Sequence, residues 1–184
     1  MKKLESTLTN MVLVLTGVAI LMGGILAWVN HLTTGPIEQQ KEKALADGIR
    51  TVMCSDDLSV ASIDTIDNYV VYNVVDAAQQ PMGAAVESST MGFGGELKVL
   101  VGFSDNGDIL GYTLLEHAET PGLGAKADLW FQKGQKGDII GRNPAEPLIV
   151  SKDGGQVDAI TASTITSRAF LNAVNNAYNA YQNK

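Results

Sequence analysis

The hydrophobic pattern divides the chain into an N-terminal apolar run, a middle of short strand-like runs and a C-terminal amphipathic stripe. The apolar run, Met11–Val29, contains nineteen residues without a charge and is long enough to cross the hydrocarbon layer as a helix. Trp28 lies where an interfacial aromatic residue would anchor such a span. A cleaved signal peptide is the alternative, but the run is long for one and no small-x-small cleavage site follows it. We therefore predict an uncleaved transmembrane helix over residues 11–30.

A break in the pattern follows this run. Thr33-Thr34-Gly35-Pro36 interrupts the apolar positions, and Pro36 suits the first turn of a second helix. Helical spacing then continues to Val52 and ends at the turn residues Cys54–Asp57. The chain is therefore expected to comprise a cytoplasmic tail (residues 1–10), the transmembrane helix (11–30), a juxtamembrane helix or linker (31–57) and a globular domain (58–184).

The middle of the chain predicts a mainly antiparallel sheet. Tyr69–Val75 is rich in β-branched and aromatic residues, which favour strands. Glu96–Phe103 and Ile109–Glu116 are joined by a short connection containing Asn-Gly, which is typical of a hairpin. Weaker strands are expected at Gly83–Glu87, Leu148–Ser151 and Val157–Ile160. With a helix on each side of these runs, the order indicates an α+β fold.

Ser and Thr residues crowd the segment Asp158–Ser167, directly before the C-terminal stripe. The positions of the stripe are Phe170, Ala173, Val174, Ala177, Tyr178 and Tyr181. Their helical spacing predicts a helix that begins near Thr166 or Ser167. Hydroxyls at such a point usually cap the first turn, whose N–H groups need acceptors, and position alone favours this role for Thr164, Thr166 and Ser167. The same N–H groups also suit a phosphate, so one hydroxyl is alternatively the attachment point of a phosphate-bearing cofactor.

Composition and charge remove several classes of function. The chain has 184 residues, of which 45% are hydrophobic, and this suffices for a core. Residues 31–184 carry eleven Lys and Arg against nineteen Asp and Glu, a net charge of −8, which disfavours binding to nucleic acid or to an anionic lipid surface. The single cysteine, Cys54, excludes an internal disulfide and a cysteine-rich metal site. His31 and His117 lie in unrelated segments, so we predict no metal site.

Two glycine-rich loops flank the predicted hairpin, Met91–Gly95 before it and Glu119–Gly124 after it. Glycine lets a ligand approach the backbone closely, but it also serves ordinary tight turns, which is the simpler interpretation of each loop. Neither loop carries a dinucleotide fingerprint or the phosphate-binding loop of nucleotide hydrolases. The nearby acidic residues Glu116, Glu119 and Asp128 are expected to be solvated or structural, so no catalytic residue is predicted.

Four parts of the chain together carry a resemblance to a known family, the first three of them upstream of residue 127. These three are the single N-terminal span, the run Gly92–Gly102, and the run His117–Lys126, within which Glu-Thr-Pro-Gly-Leu-Gly is the most specific. The Thr/Ser segment before the last helix completes the match. The chain thus resembles, almost from end to end, the FMN-binding G subunit of the Rnf complex, a membrane assembly that couples ferredoxin:NAD oxidoreduction to ion translocation.

The resemblance implies a covalently bound FMN. The attachment motif of the family reads approximately Ser/Thr-Gly-Ala-Thr-x-Thr/Ser, with the FMN phosphate esterified to the fourth residue, and Thr161–Thr166 aligns with it. Thr164 is thereby implied as the attachment residue. Ala162 and Ser163 depart from the usual glycine and alanine, and Ser163 and Thr166 are the alternative attachment residues. The other residues implied to contact the cofactor are Ser167 and the loop residues Thr120, Pro121, Gly122 and Leu123, which would line the slot for the isoalloxazine ring.

The resemblance also implies a function, partners and a location. The chain is expected to be a membrane-anchored electron-transfer subunit, a redox part of a translocase and not a stand-alone catalyst. Its partners would be the other membrane and peripheral subunits of the complex, together with a separate flavin transferase. Lys2 and Lys3 would lie on the cytoplasmic side of the inner membrane, with the C-terminal domain on the extracytoplasmic side. The alternatives are the C subunit of a sodium-translocating NADH:quinone reductase and a non-redox anchored binding or assembly module without covalent flavin.

Overall fold

A computed structural model describes residues 7–67 and 69–183 of the protein. Lys2 and Lys3, on which the predicted orientation depends, lie outside these residues. The chain divides into two units that meet between residues 43 and 44. This boundary falls inside the segment predicted to be a juxtamembrane helix or linker.

The longest element is helix α1, Leu8–Met53, whose N-terminal part makes up the first unit. Its most apolar 18-residue window has a mean hydropathy of 2.4, and none of that window is buried against the rest of the protein. The length and composition of the helix therefore suit a membrane span. The predicted break at residues 33–36 is wrong, because the helix continues through Pro36. Proline has no backbone N–H and so removes one hydrogen bond, which is a small fraction of the backbone hydrogen bonds in a 46-residue helix.

The second unit is built on one five-stranded sheet with the strand order β1-β2-β3-β4-β5. The strands are β1 Leu58–Ile66, β2 Tyr69–Asp76, β3 Pro81–Met91, β4 Glu96–Phe103 and β5 Ile109–His117. Each strand pairs antiparallel with its neighbour in the sequence, which short hairpin connections allow. The predicted α+β class and antiparallel sheet are confirmed.

Parts of the sheet differ from the prediction. Strand β1 is absent from the predicted strands because it forms an edge, exposes seven of its nine residues and therefore carries little hydrophobic signal. Strand β3 extends beyond the predicted Gly83–Glu87 at both ends. The strands predicted at Leu148–Ser151 and Val157–Ile160 are wrong, since these segments contribute a single parallel bridge between Val150 and Val157. Both valines are buried in the core. Their segments are therefore apolar in sequence, although they do not form paired strands.

Helix α3, Thr164–Gln182, begins two residues before the nearer of the predicted starts and packs on β3 and β4. Its predicted stripe is buried in the core at Phe170, Ala173, Val174, Ala177, Tyr178 and Tyr181. Phe170 stacks on Phe131 with ring centroids 4.4 Å apart and meets Tyr112 edge-on at 4.7 Å. These aromatic contacts hold the first turns of α3, and with them the Ser/Thr segment, against the sheet.

The opposite face of the sheet is covered by the end of α1, within the second unit. Ile49, Val52 and Met53 form a separate core cluster with residues of the sheet that include Tyr72 and Leu100. Alternate residues of a strand point to opposite faces, so the sheet contributes to both clusters. The sheet therefore has a helix on each face, which is the layered arrangement of an α+β domain.

The segment between β5 and α3 contains short helices: the 3₁₀ turns Gly124–Lys126 and Ser151–Asp153, and helix α2, Ala127–Trp130. The Tyr112 hydroxyl fastens this segment to the sheet by donating to the Ala127 carbonyl oxygen at 2.7 Å and accepting from the Phe131 N–H at 3.1 Å. Burial raises the pKa of Tyr112, so the hydroxyl keeps its proton for the first of these bonds.

Candidate functional site

A cavity of about 390 Å³ opens between the two glycine-rich loops and the start of α3. Its volume lies within the range of small-ligand sites. The lining residues are Phe93, Glu119, Thr120, Leu123, Gly124, Ala162, Ser163, Thr164, Ile165 and Thr166. Three segments that are far apart in the sequence thus meet at one place.

The structure brings five of the eight predicted cofactor residues together in this cavity: Thr120, Leu123, Ser163, Thr164 and Thr166. Pro121 and Gly122 do not line it and are exposed at the tip of the same loop. Ser167 also lies outside the lining and is fully buried. The roles of all eight residues toward a cofactor remain predictions.

Glu119 lines this cavity, although no role toward a ligand was predicted for it. Its side chain is 5% exposed, so the solvated role expected for it is wrong and the structural one applies. One carboxylate oxygen accepts from the N–H groups of Phe93 at 2.7 Å and Gly94 at 3.2 Å. The other accepts from the Thr166 hydroxyl at 2.6 Å. The carboxylate therefore joins the first glycine-rich loop to the Ser/Thr segment.

The glycines of both loops leave room for this carboxylate. A Cβ atom on Gly92 would lie 2.2 Å from one Glu119 oxygen, and a Cβ atom on Gly124 would lie 2.2 Å from the other. A Cβ atom on Gly94 would meet the Ala118 carbonyl oxygen at 2.1 Å. Ordinary turn geometry, the interpretation drawn from the sequence, is therefore incomplete, because these positions need glycine for close approach.

The hydroxyls at the N-terminus of α3 have different surroundings. Ser163 occupies the cap position but makes no side-chain cap bond. The Ser167 hydroxyl donates to the Ser163 carbonyl oxygen at 3.0 Å and accepts from the Ile160 N–H at 2.9 Å, so its role lies in the turn and not in the predicted cap. Thr166 is 1% exposed, and its hydroxyl donates a hydrogen bond to Glu119. Thr164 is half-buried, and its hydroxyl oxygen accepts from the Lys152 ammonium at 3.0 Å.

Ala162 adopts a left-handed backbone conformation, with φ of 61°. An L-residue with a Cβ atom is strained there by roughly 1–2 kcal/mol, whereas glycine is not. The glycine that the resemblance implies at this position would avoid this strain.

Lys152 places one positive charge against the Thr164 hydroxyl. Lys152 and Asp153 lie in the same 3₁₀ turn, and Arg168 donates two hydrogen bonds of 2.6 Å to the Asp153 carboxylate. The bonds from Arg168 lower the pKa of Asp153. The N-terminus of α3 adds its free N–H groups and the positive end of the helix dipole. An anionic group on the Thr164 oxygen is thus electrostatically favoured.

The part of the chain that the structure describes contains no group of three or more His, Cys, Asp or Glu side chains placed to hold a metal ion. The cavity walls consist instead of apolar side chains at Phe93, Leu123 and Ile165, of hydroxyls and of one buried carboxylate. This lining suits an organic ligand with a flat apolar part and an anionic end.

Comparison with known proteins identifies similar chains. Residues 92–179 match the family described as the FMN-binding domain. The G subunit of the ion-translocating oxidoreductase complex of Shewanella baltica is 34% identical over 176 residues, which cover 86% of this chain and 82% of that protein. The protein of the same name from Vibrio cholerae is 33% identical over 183 residues, which cover 90% of this chain and 86% of that protein. Among solved structures, the C subunit of the Na⁺-translocating NADH-quinone reductase from Parabacteroides distasonis matches with 24% identity and a TM-score of 0.42, over 62% of this chain and 61% of that chain.

Proposed function

This chain belongs to the family of G subunits of ion-translocating oxidoreductase complexes, and on that premise we propose that it is the membrane-anchored, FMN-carrying electron-transfer subunit of such a complex. The observation that carries the proposal is the Thr164 hydroxyl, which opens on a cavity of cofactor size and touches a lysine ammonium. FMN itself supplies the chemistry of accepting and donating electrons, and the protein supplies position and electrostatics. The protein would exchange electrons with neighbouring redox centres and would not convert a soluble substrate alone.

Thr164 is the proposed attachment residue for the FMN phosphate. Thr164 is half-buried, whereas the Thr166 hydroxyl donates to Glu119 and Ser167 is fully buried. Ser163, 8% exposed, is also less accessible. In the transfer, the Thr164 oxygen would attack the flavin-bearing phosphorus of an activated flavin donor held by a separate flavin transferase. The bond from that phosphorus to the activating group would break, the activating group and the hydroxyl proton would leave, and the chain would gain the mass of FMN minus water.

Lys152 and the start of α3 would hold the phosphate. The phosphoester keeps one negative charge, and the Lys152 ammonium already lies 3.0 Å from the ester oxygen that Thr164 would provide. The first N–H groups of α3, a helix of 19 residues, face the same end of the site. Because Arg168 occupies the Asp153 carboxylate, that neighbouring anion competes less with the phosphate for Lys152.

The apolar part of the cavity would receive the isoalloxazine ring. Phe93, Leu123 and Ile165 line it and are 70%, 43% and 53% exposed, so a bound ring would cover apolar surface that now faces water. Thr120 would be the polar contact contributed by the second loop. Pro121 and Gly122 would act through the shape of that loop.

The membrane anchor and partners complete the proposal. Helix α1 would fix the protein in the inner membrane beside the other membrane and peripheral subunits, with the FMN domain on the extracytoplasmic side. The strongly acidic composition of residues 31–184 suits a domain that is solvated and not pressed against anionic lipid.

Intact mass tests the attachment. Protein purified from its native membrane should exceed the mass of the polypeptide by FMN minus water, and fragmentation of the peptide Asp158–Arg168 should place the increment on Thr164. A Thr164→Ala variant should lose the increment, whereas Thr65→Ala, at an exposed threonine of β1 outside the attachment motif, should keep it. An increment retained by Thr164→Ala would move the site to Ser163 or Thr166. The absence of any increment in native protein would favour an assembly module without covalent flavin.

A further inference from the structure

Glu119 places a carboxylate in the wall of the proposed flavin cavity, and its side chain is largely shielded from water by burial. Within residues 7–67 and 69–183 it is the one Asp or Glu among the buried residues. None of the ion pairs found in this part of the chain involves it. The Glu119 N–H donates a hydrogen bond to His117 Nδ1 at 3.3 Å.

The surroundings of this carboxylate are those of an anion. Three donors converge on its two oxygens, namely the N–H groups of Phe93 and Gly94 and the Thr166 hydroxyl. All three are donors, so each directs the positive end of its dipole at the carboxylate. Gly92 and Gly124 leave the space that the two oxygens occupy, so the charge is a built part of the site.

We propose that Glu119 makes the bound flavin harder to reduce, and so sets the potential at which this protein exchanges electrons. The inference rests on the proposed function, because it requires FMN in the cavity. Each electron that reaches the ring from a donor adds one negative charge, unless a proton from water follows it. A fixed negative charge in a poorly screened wall of the same cavity opposes that added charge and shifts the midpoint potential to a more negative value.

A second effect of Glu119 would be positional. Its bonds to the Phe93 and Gly94 N–H groups hold the first glycine-rich loop, which carries the Phe93 ring at the mouth of the cavity. A neutral side chain of the same shape preserves most of this scaffold while it removes the charge. The electrostatic and positional effects are therefore separable by Glu119→Gln.

The experiment compares midpoint potentials of the full-length flavinylated protein in detergent, titrated with dithionite and redox mediators. The Glu119→Gln variant should shift the flavin midpoint to a more positive potential. Its amide oxygen can accept the two loop N–H groups, and its NH₂ group can donate to the Thr166 oxygen. The matched control is Glu116→Gln, which removes an exposed carboxylate three residues earlier and should leave the midpoint close to that of the wild type. A flavinylated Glu119→Gln variant with the wild-type midpoint would overturn the inference.

A second variant decides the matter if Glu119→Gln fails to fold or to accept flavin. Thr166→Val keeps the carboxylate and the backbone donors but removes the hydroxyl that donates at 2.6 Å. The less neutralised carboxylate should then shift the midpoint in the opposite direction, to a more negative potential, and an unchanged or more positive midpoint would contradict the role of Glu119. Failure of the proposed function itself is a separate result, because wild-type protein would then lack the FMN mass increment.

Discussion

Gly94→Ala should destabilise the domain, although this kind of substitution usually has a small effect. Where the backbone conformation suits alanine, Gly→Ala stabilises a protein by about 0.4–1 kcal/mol through the unfolded state. At Gly94 the new Cβ atom would lie 2.1 Å from the Ala118 carbonyl oxygen and 2.8 Å from its carbon. Both atoms belong to the backbone, so no side-chain rotation relieves the contact.

The magnitude follows from the two consequences of that contact. The loop and the Ala118 carbonyl must separate by roughly 1 Å, and such overpacking costs about 1–3 kcal/mol. The movement also lengthens the bonds from the Phe93 and Gly94 N–H groups to Glu119, each worth about 1.5–3 kcal/mol when the acceptor is charged. Because Gly94 is exposed and water replaces part of these bonds, we expect a total loss of about 2–4 kcal/mol. For a domain of this size that corresponds to a melting temperature lower by roughly 6–15 °C.

Thermal unfolding of the full chain in detergent, followed by circular dichroism, measures this loss. The matched control is Gly134→Ala, where φ is 79° and no atom lies within 4 Å of the added Cβ. That variant pays only the cost of the left-handed conformation, about 1–2 kcal/mol. If Gly94→Ala melts at or above the temperature of Gly134→Ala, the close approach of the loop to Ala118 is not what requires glycine.

Two further outcomes are expected. Lys152→Ala removes the ammonium and should slow attachment of FMN to Thr164 by a flavin transferase about 10- to 100-fold, which corresponds to one charge-assisted hydrogen bond. Lys152→Arg should retain most of the rate. A time course followed by mass spectrometry that gives equal rates for all three proteins would show that Lys152 is not part of the site. Burial, together with the nearby Glu87 carboxylate, raises the pKa of Tyr72 to about 12, above its value of about 10 in the unfolded chain. The stability that Tyr72 contributes is then fully present below about pH 10 and is lost as the pH rises toward 12. Over this range the urea midpoint of Tyr72→Phe should therefore fall less steeply with pH than that of the wild type. Parallel curves for the two proteins would contradict the raised pKa of Tyr72.

Much of the framework was readable from the sequence because it depends on local pattern. The uncharged run was recognised by its length, the hairpin of β4 and β5 by its Asn-Gly connection, and α3 by a stripe at helical spacing. The resemblance to the Rnf G subunit depends on short motifs and is confirmed by relatives aligned over most of the chain. The hydrophobic pattern gave wrong strand predictions where burial and strand pairing do not coincide. The edge strand β1 pairs but exposes most of its residues, whereas Val150 and Val157 are buried without forming strands.

The sequence by itself determined the family, the long apolar helix, the antiparallel sheet and a Ser/Thr segment before the last helix. Only the tertiary structure decided how the site is assembled, because its contacts join residues that no periodicity relates. Thr166 reaches Glu119 across 47 positions, and Lys152 reaches Thr164 across 12. The need for glycine at Gly92, and the strain at Ala162, likewise depend on atoms placed by the fold. Glu119 belongs to one loop, but its burial and the cavity beside it arise only when that loop packs against the first glycine-rich loop and the start of α3.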